Sequence, residues 1–119
     1  MNTENNKKIL NRFPDLFPSN FYLGIGDGWF NIFNDLCEDL KPIVKNLNPP
    51  FTFIQVKEKF GGLRVYTNYD GDDKVNPVIC LAEKKALETC DMCGEKGLLR
   101  NSGWLKIRCD NHVDTKHYL

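Results

Sequence analysis

Several features that would place this protein in a membrane, in a secretory pathway or on nucleic acid are missing from its sequence. No apolar run approaches the roughly 18 residues that a transmembrane helix needs. The first ten residues, MNTENNKKIL, lack the apolar centre of a secretory signal. Sixteen basic and sixteen acidic residues cancel, so no overall charge attracts the chain to a polyanion. We expect one domain, residues 1–119, in the cytoplasm and not at a membrane.

Side chains suited to catalysis are also scarce. The two histidines, His112 and His117, both lie in the C-terminal segment and leave none elsewhere for general acid–base chemistry. The stretch GIGDG, residues 24–28, precedes a helical pattern but lacks the Gly-x-Gly-x-x-Gly order of a phosphate loop. Asp27 would repel a phosphate there, so we interpret it as the cap of the helix. The sequence therefore predicts a protein that is not an enzyme.

Three helices and one β-hairpin are predicted, which gives an α+β fold with N-terminal helices packed on the hairpin. Thr3 can cap a first helix that ends near Arg12. A loop rich in proline and glycine follows, and we expect its aromatic side chains to order it. The third helix begins at Asn76, which can cap it, and runs to about Thr89 into the C-terminal segment.

The second and longest helix is predicted to begin at Asp27. Its apolar residues recur at three- and four-residue steps, so they form one stripe that must be buried. Pro42 cannot donate a backbone hydrogen bond, and we expect a kink or a break near Lys41. The stripe consists of Trp29, Phe33, Leu36, Leu40, Ile43, Val44 and Leu47.

The stretch QVKEKFGGLRVYT, residues 55–67, predicts the hairpin. Its strands are expected at Phe51–Lys59 and Leu63–Tyr69. Between them, Gly61 and Gly62 can supply the positive φ angles of a tight turn. The expected core pairs are Ile54 and Val56 against Leu63 and Val65.

Positive charge is concentrated on this hairpin. Residues 41–69 hold five basic side chains and one acidic side chain, whereas residues 1–40 hold three basic and six acidic ones. Mixed charges would serve solubility alone, so this concentration raises the question of a binding role. The cations of the hairpin are Lys57, Lys59 and Arg64.

These cations have more than one interpretation. They are either solvated residues that protect a sheet edge or, together with Tyr66, the contact surface for a partner. A small active site formed with Glu58 and with Asp70 or Asp72 is a third idea. Nothing in the spacing of these residues specifies a nucleophile, a base or a metal, so the third idea is the weakest.

A pattern typical of a zinc site lies near the C-terminal end. Cys90 and Cys93 are separated by two residues, as are Cys109 and His112, and fifteen residues lie between the two pairs. Zinc prefers four such ligands in a tetrahedron. Because four protein ligands leave no open position, we expect a structural Zn²⁺ that stabilises residues 88–119 as a subdomain too small for its own core.

Other interpretations of the cysteines stay open. A redox Cys-x2-Cys pair would need a strand before it, but a helix is predicted there. Three scattered buried cysteines are a further alternative, and His117 is an alternative fourth ligand. The residues between the pairs predict a short hairpin, Leu98–Arg100 and Trp104–Arg108, within a zinc-ribbon or a treble-clef finger. Cys37 and Cys80 are predicted to be small buried hydrophobic residues.

Four stretches carry a resemblance to a known family. They are GDGWFNIFNDLCEDLKP, QVKEKFGGLRVY, AEKKALETCDMCG and GWLKIRCDNH, and together they extend across about residues 20–113. In this order they resemble a family of small, largely uncharacterised proteins of bacteriophages and prophages. KEKFGGLR and the helix that runs into Cys-x2-Cys-Gly are the most specific parts. The last ligand of the family is often a cysteine, whereas His112 stands here.

The resemblance implies a context and no enzymatic activity. Short accessory proteins of phages commonly bind a host protein or a nucleoprotein machine, and inhibitors of defence nucleases, including anti-CRISPR proteins, are of this size. The first hypothesis is therefore a zinc-containing binding protein that docks on a host protein or ribonucleoprotein complex through the basic hairpin. The second is direct binding of RNA or DNA, with Lys106 and Arg108 joining the hairpin cations and the zinc segment as the reading element.

Overall fold

The computed structural model describes residues 1–101 and 103–113, and in this part of the chain it confirms the predicted α+β fold. It contains three helices and two small sheets. The helices are α1 (Thr3–Arg12), α2 (Phe30–Val44) and α3 (Val75–Ala86). The first sheet contains β1 (Leu23–Gly24), β2 (Phe53–Lys59) and β3 (Gly62–Thr67), and the second is the hairpin of β4 (Leu98–Asn101) and β5 (Leu105–Arg108). Within these residues, no helix is both long and apolar enough to cross a lipid bilayer.

The core lies between α2, the first sheet and α3. The predicted stripe of α2 is buried from Trp29 to Val44, with Ile43 and Leu47 partly buried beside it. The loop after α1 is ordered by aromatic packing, as expected. The ring of Phe17 stacks on that of Phe53 with their centroids 4.8 Å apart, and the centroids of Phe53 and Phe33 are 5.3 Å apart.

Two predicted helix caps are wrong. The Asn2 side chain, not that of Thr3, caps α1, because its Oδ1 accepts a hydrogen bond from the Asn5 N–H at 2.8 Å. Asp27 lies in a short 3-10 turn before α2 and makes no capping hydrogen bond to that helix. Its Oδ1 instead accepts from the Asn2 N–H at 2.8 Å, so this carboxylate fastens the start of α1 to the start of α2.

Of the kink or break expected near Lys41, the break does not occur. The helix α2 continues through Pro42 and ends at Val44. Proline removes a single backbone donor, and this position lies in the last turn of the helix, where little of the hydrogen-bond ladder remains to be disturbed.

Helix α3 begins and ends slightly earlier than predicted. Asp72, not Asn76, starts it by accepting hydrogen bonds from the N–H groups of Lys74 and Val75 at 2.9 and 3.0 Å. The N–H groups of Val75 and Lys74 lower the pKa of the Asp72 carboxyl below its usual value. The helix ends at Ala86 and not near Thr89.

The two isolated cysteines differ in environment. Cys37 is buried, as predicted, and burial, followed by the charge of Glu38, raises the pKa of its thiol. Cys80 is exposed, so the prediction for it is wrong. Its neighbour Ile79 takes the buried position on α3, and a step of one residue turns the next side chain toward solvent.

The first hairpin forms where it was predicted, with a different turn and register. Phe60 and Gly61 have φ angles of 53° and 84°, so they, and not Gly61 and Gly62, are the central residues of the two-residue turn. Val56 pairs with Val65 as expected. Ile54 lies at an irregularity of the register and is 58% exposed, so it is not a core residue.

Candidate metal centre and the adjoining basic face

The four predicted ligands lie together at one end of the molecule. Their ligand atoms all lie within 4.8 Å of one another. The Sγ atoms of Cys93 and Cys109 are 3.6 Å apart, and the Nδ1 atom of His112 lies 3.7 Å from Cys90 Sγ and 3.2 Å from Cys109 Sγ. Cys90 and Cys109 are buried, and Cys93 is exposed.

The 3.6 Å and 3.7 Å distances are close to those expected around one tetrahedral ion. Two sulfurs at about 2.3 Å from a shared zinc are about 3.8 Å apart, and a sulfur and an imidazole nitrogen are about 3.6 Å apart. A disulfide would need about 2.05 Å, so the thiols of Cys93 and Cys109 are not bonded to each other. The four residues can therefore hold a metal ion, and the idea of scattered cysteines is wrong. The alternative ligand His117 lies outside the described residues.

Backbone hydrogen bonds shape the first ligand pair. The Gly94 N–H donates to the Cys90 carbonyl at 3.0 Å, and the Cys90 N–H donates to the Glu95 carbonyl at 2.7 Å. Gly94 has a φ angle of 83°, which a residue with a side chain rarely adopts. This tight turn brings both sulfurs to the same side of the chain, as the Cys-x2-Cys-Gly spacing predicts.

The second pair follows a short hairpin. Strands β4 and β5 are antiparallel, with Leu98 opposite Arg108 and Asn101 opposite Leu105, which confirms the predicted hairpin. After β5, the His112 N–H donates to the Cys109 carbonyl at 3.0 Å, so the chain turns directly behind the sulfur. The hairpin thereby returns the second pair to the first.

The crowded sulfurs have unequal acidities. Burial opposes ionisation of Cys90, but backbone N–H groups, including those of Cys109 and Met92, outweigh it and lower its pKa from 9.0 to about 7. The Glu95 N–H favours the Cys93 thiolate, but partial desolvation and the neighbouring sulfurs of Cys109 and Cys90 outweigh it and raise the Cys93 pKa to about 11. One thiol thus ionises at the expense of its neighbour, and a bound cation would relieve that competition.

The GIGDG stretch has a structural role at this centre. The Gly28 N–H donates to the Asp91 carbonyl at 2.9 Å. A Cβ on Gly28 would lie 2.1 Å from the Cys90 carbonyl oxygen, and one on Gly26 would lie 2.0 Å from that of Asp91. The indole Nε1 of Trp29 donates to the Thr89 carbonyl at 2.8 Å. The glycines therefore let the metal-binding turn lie directly against the start of α2.

Two cations that were predicted to contact nucleic acid are used inside the fold. Arg108 is 1% exposed, and its Nε donates to Asp91 Oδ1 at 2.5 Å. Lys106 forms an ion pair with Glu58 that joins the second hairpin to the first, and both side chains are mostly buried. Neither cation faces a ligand in solution, so this part of the nucleic-acid hypothesis is wrong.

The remaining predicted partner-binding residues share one face of the first sheet. Gln55 is opposite Tyr66, Lys57 is opposite Arg64, and alternate residues of a strand point to the same side. Within the described part of the chain, the ammonium and guanidinium groups of this face make no ion pair. We call this surface the basic face; it consists of Gln55, Lys57, Lys59, Arg64 and Tyr66.

The idea of a charged active site on this hairpin finds no geometric support. Glu58 points to the opposite side of the sheet from the basic face and pairs with Lys106. Asp70 accepts a hydrogen bond from the Thr67 N–H at 3.0 Å, and Asp72 starts α3. All three carboxylates therefore serve the fold.

Sequence reasoning missed three residues beside the basic face. Tyr22 and Phe60 are 60% and 70% exposed, and Gly24 of β1 pairs with Lys57 of β2. A parallel strand of two residues has too few positions to show a periodicity, so β1 gave no signal. Phe60 adopts a positive φ that is rare for a bulky side chain, and its place next to Gly61 was the one available signal.

Comparisons of this chain with protein-family models, with curated proteins and with solved structures find no match. The resemblance to small phage proteins therefore stays a prediction.

Proposed function

We propose that this is a non-enzymatic zinc-containing protein that binds an anionic macromolecular partner through the basic face. One observation carries the proposal. Lys57 and Arg64 are directly opposite each other on neighbouring strands, and like charges in that position destabilise a sheet. An edge that needed only solubility would be better served by opposite charges, so the arrangement favours a partner that supplies the missing negative charge.

The proposed role of zinc is structural. Cys90, Cys93, Cys109 and His112 would hold it, and a bound zinc would supply a cross-link where the described segment buries little apolar surface. The segment in turn contacts the tip of the first hairpin through the ion pair of Lys106 with Glu58.

The partner that we propose is a host protein or nucleoprotein complex. The resemblance to phage proteins supports this choice, and inhibition of a CRISPR effector or another defence nuclease is its sharpest form. Such effectors bind nucleic acid in positively charged channels and carry bound strands whose phosphates a basic face can contact. Direct binding of nucleic acid is the second candidate, and the aromatic rings near the cations favour it.

A matched pair of triple variants tests the proposal. Lys57, Lys59 and Arg64 are changed to Gln in one variant. In the control, Lys7, Lys45 and Lys84, which are exposed and lie elsewhere, are changed to Gln. Both variants lose three positive charges. The wild type and the control are expected to retain a stoichiometric complex from host lysate, and the hairpin variant is expected to lose it.

Zinc is measured in the same samples. Native mass spectrometry of each purified protein is expected to show one zinc ion per chain. Equal recovery of the complex by both triple variants would refute binding through the basic face. A folded wild-type chain with the mass of its amino acids alone would refute the zinc centre.

A further inference from the structure

The basic face continues onto β1, where it gains a second aromatic ring. Gly24 is opposite Lys57 in the parallel pair of β1 and β2. Tyr22 lies two residues earlier, and its Cε2 atom would be 3.7 Å from a Cβ on Gly24. The ring of Tyr22 therefore lies on the same side of the sheet as Lys57, over a position that has no side chain of its own.

The aromatic rings and the cations occupy successive rows of this surface. Tyr22 and Tyr66 lie in the row of Gln55, and Lys57 and Arg64 lie in the next row. Tyr66 is on β3 and Tyr22 precedes β1, so the two rings are about two strand spacings, or roughly 10 Å, apart. Lys57 and Arg64 are opposite each other, two residues along the strands from the Gln55–Tyr66 pair. Lys59 lies two residues further along β2, toward the turn. Each separation of two residues is about 7 Å along a strand.

The surface has no acidic side chain among the residues that form it. Tyr22 is 60% exposed and Tyr66 is 38% exposed. The structure gives neither phenol group a hydrogen-bond partner among the described residues, in contrast to Tyr69, whose hydroxyl donates to the Pro49 carbonyl. Open rings next to cations that form no ion pair within the described part of the chain are the combination that binds unstacked bases and phosphates.

We infer that the basic face binds single-stranded nucleic acid. The phosphates would contact Lys57, Lys59 and Arg64, and the bases would stack on Tyr22 and Tyr66. The inference rests on the proposed function and narrows its partner from an anionic macromolecule to an exposed strand, either free or within a nucleoprotein complex.

Two other polyanions fit less well. A duplex keeps its bases stacked on each other and offers none to the two rings. Its higher charge density also favours a larger set of cations than the three on this face, Lys57, Lys59 and Arg64. An acidic protein surface would satisfy the three cations but would make no use of the two exposed rings in the row beside them. A single strand uses both kinds of side chain.

Binding is measured by fluorescence anisotropy with the full-length zinc-loaded protein. The probes are a 12-nucleotide oligo(dT), the matching oligo(rU), an abasic 12-nucleotide strand, a 12-base-pair duplex and a poly-glutamate peptide. We expect the two intact single strands to bind, with the affinity falling by a log–log slope of about −2 against salt, since each of three neutralised phosphates contributes about −0.7. We expect the abasic strand to bind at least about 5-fold more weakly, because stacking is lost.

Substitutions separate the two kinds of contact. Tyr66→Thr, which keeps a residue that favours strands, is expected to weaken binding about 5- to 150-fold with the salt slope unchanged. Tyr66→Phe retains a ring and is expected to bind like the wild type. Lys59→Gln is expected to reduce the magnitude of the slope by about 0.7. Tyr22→Ser should repeat the effect of Tyr66→Thr, and circular dichroism with thermal denaturation verifies that each variant is folded.

The outcomes distinguish this inference from the proposed function. If the duplex, the abasic strand or poly-glutamate binds as tightly as oligo(dT), stacking of bases is refuted. If no oligonucleotide binds at low salt while the lysate complex still depends on Lys57, Lys59 and Arg64, the partner is a protein and the inference fails while the proposed function stands. Loss of that dependence refutes both.

Discussion

The two hairpins of this protein use charge in opposite ways. In the first hairpin, β2 and β3, the cations point to solvent and the carboxylate of Glu58 points inward. In the second, β4 and β5, Arg100 pairs with Asp110 at 2.9 Å, Arg108 pairs with buried Asp91, and Lys106 pairs with Glu58. Basic residues thus form no ion pair within the described residues in one hairpin, whereas those of the other form ion pairs inside the fold.

The hairpins also differ in what holds them. The first buries Val56, Leu63 and Val65 against the helices. The second exposes Leu98 and Leu99, which are 59% and 58% exposed, and its described residues bury few apolar side chains. Apolar burial therefore stabilises the first hairpin, whereas the ligand cluster, a buried ion pair and close backbone contacts stabilise the second.

Removal of the metal should produce the largest difference in stability between the two hairpins. Zinc contributes about 10–16 kcal/mol of apparent binding free energy in small finger peptides, and the second hairpin has little else to replace it. After treatment with a chelator, or in Cys109→Ser, we expect hydrogen exchange to accelerate in peptides from residues 88–113 and to stay slow in α2 and β2. Equal loss of protection in both regions would show that they are one cooperative unit.

Loss of the buried ion pair should have the next largest effect. Asp91→Ala leaves the guanidinium of Arg108 buried without this carboxylate, which typically costs about 3–5 kcal/mol. Urea denaturation of the zinc-loaded protein measures the change. The double variant Asp91→Leu with Arg108→Met is the control, and it should recover most of the loss because no isolated charge remains. Similar losses for the single and double variants would contradict this account.

Disruption of the contact between the metal-binding turn and the start of α2 should reduce stability by a smaller amount. A Cβ at position 28 meets a backbone oxygen at 2.1 Å, so Gly28→Ala must push the turn from the helix, at an expected cost of about 2–3 kcal/mol. Gly62→Ala is the matched control, since its Cβ would find no heavy atom closer than 3.6 Å. Thermal denaturation of both variants should show a clear loss only for Gly28→Ala.

The smallest change in stability is expected from a substitution on the basic face, and this change should be an increase. Arg64→Glu places an opposite charge across from Lys57 and should stabilise the protein by about 0.2–1 kcal/mol. The same change should abolish binding of the partner. Stability is measured by urea denaturation, and Arg64→Gln is the intermediate control. A variant that is more stable and still binds would show that the partner does not bind through the basic face.

Much of the fold follows from local patterns in the sequence. The stripe of α2 and the Cys-x2-Cys and Cys-x2-His pairs depend on short-range spacing, so they were predicted correctly. The cap of α1 was placed one residue late, because neighbouring Asn2 and Thr3 are both good capping residues. The cap at Asp27 failed because its carboxylate accepts instead from Asn2, 25 positions away. No local rule contains such a partner.

The site was predictable to the same extent and for the same reason. The spacing of the ligands determines the metal centre, and the charge run marks the first hairpin. Whether a given cation forms an ion pair inside the fold depends on tertiary partners. Local sequence therefore cannot distinguish exposed Lys59 from buried Arg108. Tyr22 was missed because the strand that places it beside Lys57 has only two residues.

The turn of the first hairpin rests on the second. A Cβ on Gly61 would lie 3.3 Å from both the Leu105 carbonyl and a methyl group of Leu99. Lys59 is two positions before this contact, so a chelator that never touches the basic face would still alter how firmly its end is held. Under the proposed function, the availability of zinc would then adjust how firmly the basic face is presented, without any change in how much of the protein is made.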